Sequence, residues 1–242
     1  MEVVCAGSLI SDSLVLTAAH CILARDEQKS ILDISKFLTL VVGASDVREA
    51  NKSGISFRIQ EYKLHPQYRP ESSLADLAII KLHDPDKKAD VMMKSCFVTK
   101  VRLPKDKNEV IVEPGQKIVA VGWGRTEAHA WSNTMMEVRL KYISHNECMK
   151  FRPELKDGIF CAIANEGKDT CEGDSGGPAL LKKTVDNKTV FYQIGVTQGG
   201  HSKCGVPQAK PSKFTNVSLY IDWIKDTAHT LGGWSEQEND NC

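Results

Sequence analysis

The 242-residue sequence has no surplus of either charge: 31 Lys and Arg stand against 31 Asp and Glu. A nucleic-acid binder carries a basic excess to neutralise phosphates, so the balance argues against that class of partner. Long apolar runs are also lacking. The longest near-apolar stretch, Phe37 to Ala44, is far short of the ~20 residues that span a bilayer as a helix. Nothing here reads as a membrane anchor. Met1 is followed at once by Glu2, without a basic region, an apolar segment or a cleavage site, so no signal peptide is visible and the chain reads as mature or incomplete at its start. None of the eight cysteines stands in a C-x-x-C pair, the mark of many zinc and redox sites; the closest spacings are 10, 13 and 16 residues. Internal repeats and low-complexity tracts are absent too.

What is present is a chain that can bury a core. Apolar residues make up 41%. An even cysteine number, together with sequons at Asn51, Asn187 and Asn216, favours an oxidising, secretory environment. Short β-type runs recur between Gly, Pro, Asn and Asp: Ser13–Thr17, Leu38–Val42, Ile55–Ile59, Leu77–Leu82, Lys117–Val121, Val138–Tyr142, Gly177–Leu181, Phe191–Val196 and Lys213–Val217. Many short strands with turn chemistry between them predict an all-β barrel or sandwich. One helix stands out near the end, where Leu219, Tyr220, Trp223, Ile224 and Ala228 form one apolar stripe. The charged stretch Pro104–Glu109 is the candidate connector between two β halves.

Three motifs carry chemistry. In Gly173-Asp174-Ser175-Gly176-Gly177-Pro178 a serine stands among small residues that permit a tight turn. The N–H groups of Gly173 and Ser175 can converge there on one point, as an oxyanion requires. A Gly-rich β-turn is the plain alternative. In Leu16-Thr17-Ala18-Ala19-His20-Cys21 the histidine is either a satisfied core residue or the base that a weakly nucleophilic serine hydroxyl needs. In Leu74-Ala75-Asp76-Leu77-Ala78-Ile79-Ile80 an aspartate opens an apolar strand, where an unpaired carboxylate would be costly. Its partner is either a salt-bridging cation or the His20 imidazole.

These motifs, in the order His, Asp, Ser, resemble the trypsin/chymotrypsin family of serine endopeptidases. Cys5-Ala6-Gly7-Ser8-Leu9-Ile10, Gly122-Trp123-Gly124-Arg125-Thr126 and Phe214-Thr215-Asn216-Val217 through Trp223-Ile224 look like further family segments, so the likeness runs from about Val4 to Thr227. It implies two six-stranded antiparallel β-barrels with a C-terminal α-helix, in one peptidase domain over 1–242, the first barrel at about 1–105 and the second with the helix at about 106–242. Ser175 would be the nucleophile, His20 the general base and Asp76 its orienting partner, with Gly173 and Ser175 forming the oxyanion hole. Disulfides Cys5–Cys21, Cys148–Cys161 and Cys171–Cys204 follow from the same likeness, leaving Cys96 and Cys242 over. Asp169, six residues before the serine, matches the position that gives trypsin-like enzymes their preference for Arg and Lys; Gln198, Gly200 and Ser212 would line the substrate site. The implied protein is a secreted, monomeric glycoprotein made as a zymogen, without cofactor or metal, acting on protein or peptide substrates and open to protein inhibitors.

The sequence also departs from the family. Gln198 stands where Ser is usual, and Gly199 where an aromatic floors the sites for substrate residues upstream of the cut bond. Ser212 replaces a glycine and should narrow the pocket near Asp169. No Ile or Val N-terminus that could pair with Asp174 after activation lies before Val4, so the first strand is expected to be missing. A catalytically silent homologue acting as a binding module is therefore the competing class. A lipase-type hydrolase would need a different triad order and strand–helix alternation.

Overall fold

Residues 138–142 alternate outward polar with inward apolar side chains, and 117–122 alternate buried with more exposed positions, so each can lie in a sheet with one face on a core. The computed structural model describes residues 3–25, 28, 30–89, 91, 98–126, 130–164, 168–185, 187–199 and 210–234. In its first half the strands are β1 (Ser8–Leu9), β2 (Leu14–Thr17), β3 (Leu23–Arg25), β4 (Ile31–Asp33), β5 (Leu40–Val42), β6 (Ile55–Leu64) and β7 (Ala78–His83). The second half holds β8 (Lys117–Gly122), β9 (Met136–Ile143), β10 (Ile159–Ala164), β11 (Pro178–Val185), β12 (Lys188–Gly199) and β13 (Ser212–Asn216). The candidate connector Pro104–Glu109 falls between β7 and β8.

Strands β8 to β13 close into a barrel in the order β10-β13-β12-β11-β8-β9, with antiparallel ladders throughout. Ile118, Ala120, Leu140, Phe160, Ala162, Leu181 and Phe214 fill its interior. The first half is a five-stranded sheet, β1-β2-β7-β6-β5, with β3 and β4 paired beside it. It has the half-barrel form, five strands where the resemblance implies six. Along β7, residues of alternate parity feed different cores: Ala78, Ile80 and Leu82 join Val15, Ile22 and Phe57, whereas Ile79 joins Leu14 and Leu16 on the other face. A sheet covered on both faces reads as a near-continuous apolar run, as Leu77–Leu82 does.

The second of these cores is what brings the halves together. It combines Leu16, Ala18, Cys21, Ala75, Leu77 and Ile79 from the sheet with Val196 and Val217 from the second half and with Ile221, Ile224, Ala228 and Leu231 of the helix Ile221–Leu231. Those helix positions recur every three to four residues, one stripe of an amphipathic helix. It ends at Gly232, whose φ of 70° suits a residue without Cβ. Lys81 of β7 donates its ammonium to the Leu231 carbonyl at 2.5 Å, tying the helix C-terminus to the sheet where a cation also meets the negative end of the helix dipole.

Candidate active site

His20 follows β2 in the single helical turn Ala19–Cys21. Ala18 and Ala19 are fully buried, so the chain packs tightly there while the imidazole stays a third exposed. Cys21 is bonded to Cys5, fixing the turn. Asp76 enters from the turn before β7. Its neighbour Ala75 holds φ at 49°, a left-handed conformation uncommon for a residue with a Cβ. The Asp76 side chain is buried, and both of its oxygens accept from one residue. His20 Nδ1–H donates to Oδ2 at 2.6 Å and the His20 backbone N–H to Oδ1 at 3.0 Å. A proton on Nδ1 leaves Nε2 as the acceptor of the neutral ring.

Nε2 lies 4.0 Å from Cys21 Sγ. The turn bearing Ser175 packs on that same sulfur: a Cβ added to Gly176 would come within 3.1 Å of Cys21 Sγ and would collide with Thr17 Oγ1 and the Ala6 carbonyl. Ala6 N–H donates to the Ser175 carbonyl at 2.7 Å. The three motifs therefore meet around the Cys5–Cys21 bridge. Among the described residues no hydrogen bond joins Ser175 Oγ to the His20 ring.

The turn itself has a telling pattern of backbone donors. The N–H groups of Asp174, Gly176 and Gly177 donate to the carbonyls of Cys171, Thr197 and Asp174. Those of Gly173 and Ser175 have no acceptor among the described residues. Gly173 holds φ at 94° and backs directly onto Trp131, where a Cβ would come within 2.5 Å of the ring, so only glycine fits. Buried N–H groups are normally paired, so two left open side by side are available to an oxyanion.

Asp174 turns its carboxylate inward, accepting from Gly124 N–H and Cys171 N–H at 2.8 Å each. Burial raises its pKa above the ordinary carboxylate range, against the pull of those two donors. A cavity of about 160 Å³ opens beside it, lined by Gly122, Gly124, Arg125, Lys168, Asp169 and Asp174 among others. A larger groove of about 500 Å³, bordered by Lys117, Glu137, Arg139 and Lys141, holds none of the sequence-predicted site residues.

At the predicted specificity pocket Ser212 does what its size suggests. Its hydroxyl donates to Asp169 Oδ1, which also accepts from Thr170 N–H at 2.8 Å, and Thr170 Oγ1 and Ser212 Oγ lie 2.7 Å apart. Gln198 does not reach the Asp76 carboxylate. Its amide donates to Ser73 O and to Thr215 Oγ1, and Thr215 Oγ1 in turn donates to the Asp76 backbone carbonyl. Gly200 lies outside the described residues, as do Cys96, Cys204 and Cys242. Cys148–Cys161 is formed, and Cys171 is disulfide-bonded. Asn187 is exposed in the turn between β11 and β12, the Asn51 side chain lies outside the described ones, and Asn216 uses its Oδ1 to accept from Ser218 N–H at 3.0 Å.

Two cations escaped the sequence reading. Arg152 is buried and donates its Nε–H to the Pro211 carbonyl at 2.8 Å, behind the strand that bears Ser212. Lys213 is half-buried on β13. Burial pushes the His20 pKa down, but its hydrogen bond to Asp76 and that carboxylate's charge more than reverse this and hold it above the ordinary imidazole value, with Lys213 opposing. Period-2 alternation along Ser212-Lys213-Phe214 was the available signal for Lys213; Arg152 had none in its local sequence. Cys5, His20 and Cys21 also bring potential metal donors within 4.8 Å of one another, but the two sulfurs are joined and offer no thiolate.

The sequence model of the trypsin family, described as Trypsin, matches residues 2–224. The chain belongs to the trypsin family. Trypsin-family relatives include Melanization protease 1 of Drosophila melanogaster, 32% identical over 92% of this chain and 57% of that protein, and Phenoloxidase-activating factor 3 of Holotrichia diomphalia, 30% identical over 91% and 63%. The chain thus spans about three-fifths of the length of these curated relatives. Among solved structures, mouse neuropsin, a serine protease expressed in the limbic system of the brain, superposes with a TM-score of 0.68 at 27% identity, covering 93% of this chain and 88% of that one. The trypsin-family fold is therefore shared in both sequence and shape. Among the described residues no helix is long and apolar enough to cross a membrane.

Proposed function

We propose that this trypsin-family chain is the peptidase domain of a secreted serine endopeptidase that cleaves after Arg or Lys through an acyl-enzyme. The carrying observation is the His20–Asp76 pair, with Nδ1–H on the buried carboxylate and Nε2 beside the Cys21 sulfur on which the Ser175 turn packs. In this reading Ser175 Oγ attacks the scissile carbonyl carbon while its proton passes to His20 Nε2. The carbonyl oxygen takes up the negative charge against the open N–H groups of Gly173 and Ser175, each worth roughly 3 kcal/mol in comparable sites. As the C–N bond breaks, His20 returns the proton to the leaving amine. Water, deprotonated by His20, then releases the acyl group, and Asp76 stabilises the imidazolium at both steps.

Asp169 is the reading's specificity element: a carboxylate in a partly closed pocket is best compensated by a cationic side chain. The cavity beside Asp174 has room for an N-terminal ammonium, and the raised pKa of that carboxylate is what an incoming cation would relieve. Protein inhibitors that present a basic residue would use the same pocket, and the single-domain division near residues 105 and 106 belongs to the same proposal. One curated relative is named Phenoloxidase-activating factor 3, and activation of a protein partner by a cut after one basic residue is a role that such a pocket suits. A catalytically silent member is the second reading, favoured by the absence of a Ser175–His20 hydrogen bond among the described residues; such bonds are often loose before substrate binds. Profiling the native activated protein on a peptide library separates these. Cleavage after Arg, then Lys, is expected, with the basic preference removed in Asp169→Ser; cleavage after aromatic or small residues would overturn the pocket assignment, and no cleavage at all would favour the silent reading.

A further inference from the structure

We propose that Lys213 forms an anion subsite beside His20, taking an acidic side chain of the substrate upstream of the bond to be cut. The proposal rests on the protease reading above and names a substrate feature that neither the triad nor Asp169 supplies.

The placement follows from strand geometry. Along β13, Ser212 and Phe214 point one way, Ser212 to Asp169 and Phe214 into the barrel core. Lys213 and Thr215 must then share the opposite face, and Thr215 donates from it to the backbone of Asp76. Lys213 is thus carried on the side of the strand that meets the catalytic pair. Across the ladder its register partner on β12 is Gly199. Gly199 holds φ at 143°, and a Cβ built there would find nothing within 4 Å. Gly199 therefore sets no side chain opposite Lys213, and among the described residues the space its Cβ would take is open.

Among the described residues Lys213 has no ion pair. Asp76 is engaged by both N–H groups of His20, Glu154 is exposed and lies 3.9 Å from Arg152, and Asp169 is held on the other face by Ser212 and Thr170. Residues 200–209 contain neither Asp nor Glu. Arg152 adds a second positive charge nearby, and burial with Arg152 depresses the Lys213 pKa while Glu154 and Asp76 resist. A half-buried ammonium opposite a glycine, with the described carboxylates named above engaged elsewhere, gains most from an anion that arrives with the substrate.

Binding is read first, on the native full chain carrying Ser175→Ala, with fluorescent peptides ending in Arg that bear Glu or Gln at each of the second to fourth positions from that Arg. At one position Glu should bind about fivefold tighter than Gln, the value of a partly screened ion pair. The advantage should vanish in Lys213→Gln and return in Lys213→Arg. With Ser175 intact, the acid limb of the pH–rate profile should move to higher pH in Lys213→Gln, because a cation that opposes His20 protonation has gone; a structural role would leave that limb in place. An equal Glu-to-Gln ratio in Lys213 and Lys213→Gln chains at all three positions would overturn the subsite. If peptides bind with the expected ratio and the Ser175 chain does not cut them, the subsite stands and the protease reading fails.

Discussion

Replacing Asp76 with Asn is the most informative single change at the site. The side chain is isosteric and its residue is only 2% exposed, so packing should be kept. What changes is the chemistry at one 2.6 Å contact. An amide NH₂ turned toward Nδ1 makes that nitrogen the acceptor and moves the ring proton to Nε2, where it can no longer receive a proton from Ser175. If instead the amide oxygen faces Nδ1, the tautomer survives but the imidazolium formed during turnover loses its countercharge. At this separation that attraction is about 6 kcal/mol for an effective dielectric of ~20. A loss of roughly 10⁴ in kcat corresponds to about 5.4 kcal/mol, the same order, and matches the cost of this substitution in comparable triads. The assay is single-turnover acylation by an arginine ester near pH 8, compared with thermal unfolding of the same variant. A loss below tenfold with the fold intact would refute the assignment of Asp76 as the partner of His20.

Two further outcomes are expected. Because catalysis needs neutral His20 and its pKa stands above the ordinary ~6.5, activity should fall as the pH drops through a value above that, and a kcat/KM profile with its acid limb below ~6 would contradict the electrostatics described for the pair. Ser212→Gly removes the hydroxyl that occupies Asp169 Oδ1 and widens the pocket, so cleavage after Lys should gain on cleavage after Arg by about fivefold, the worth of one released hydrogen bond; an unchanged ratio in paired Arg and Lys amide substrates would show that Ser212 does not shape the pocket.

The amphipathic runs were the legible part of the fold. β8 and β9 were legible as short β-type runs between turn residues, and the C-terminal helix because its stripe recurs at helical spacing. β10 escaped notice although Ile159-Phe-Cys-Ala-Ile-Ala164 is among the most buried strands: like Leu77–Leu82 it is an apolar run without alternation, and its two alanines, poor strand formers, weaken the signal further. The short helix His145–Phe151 was also missed. Its signal was there in Ser144 and Glu147, a capping pair whose serine accepts from the Glu147 N–H, but seven residues give too little periodicity to notice. At the site, His20, Asp76 and Ser175 stood out in the sequence because small flanking residues and an apolar strand make a polar side chain conspicuous, whereas Asp169 was singled out only through the family likeness. Lys213 was not, since its meaning depends on a register with Gly199 that no local pattern reveals. Nor was the route taken by Gln198, which reaches Asp76 only through the backbone by way of Thr215.

The central claim is that Ser175 is a nucleophile activated by His20. The direct measurement treats the native activated protein with a fluorophosphonate and locates the adduct by peptide mass spectrometry. A single phosphonyl group on Ser175 is expected, lost in Ser175→Ala and slowed at least a hundredfold in His20→Ala, the low end of what a positioned base contributes. Folded protein that leaves Ser175 unlabelled, or labels it equally fast without His20, would contradict the account.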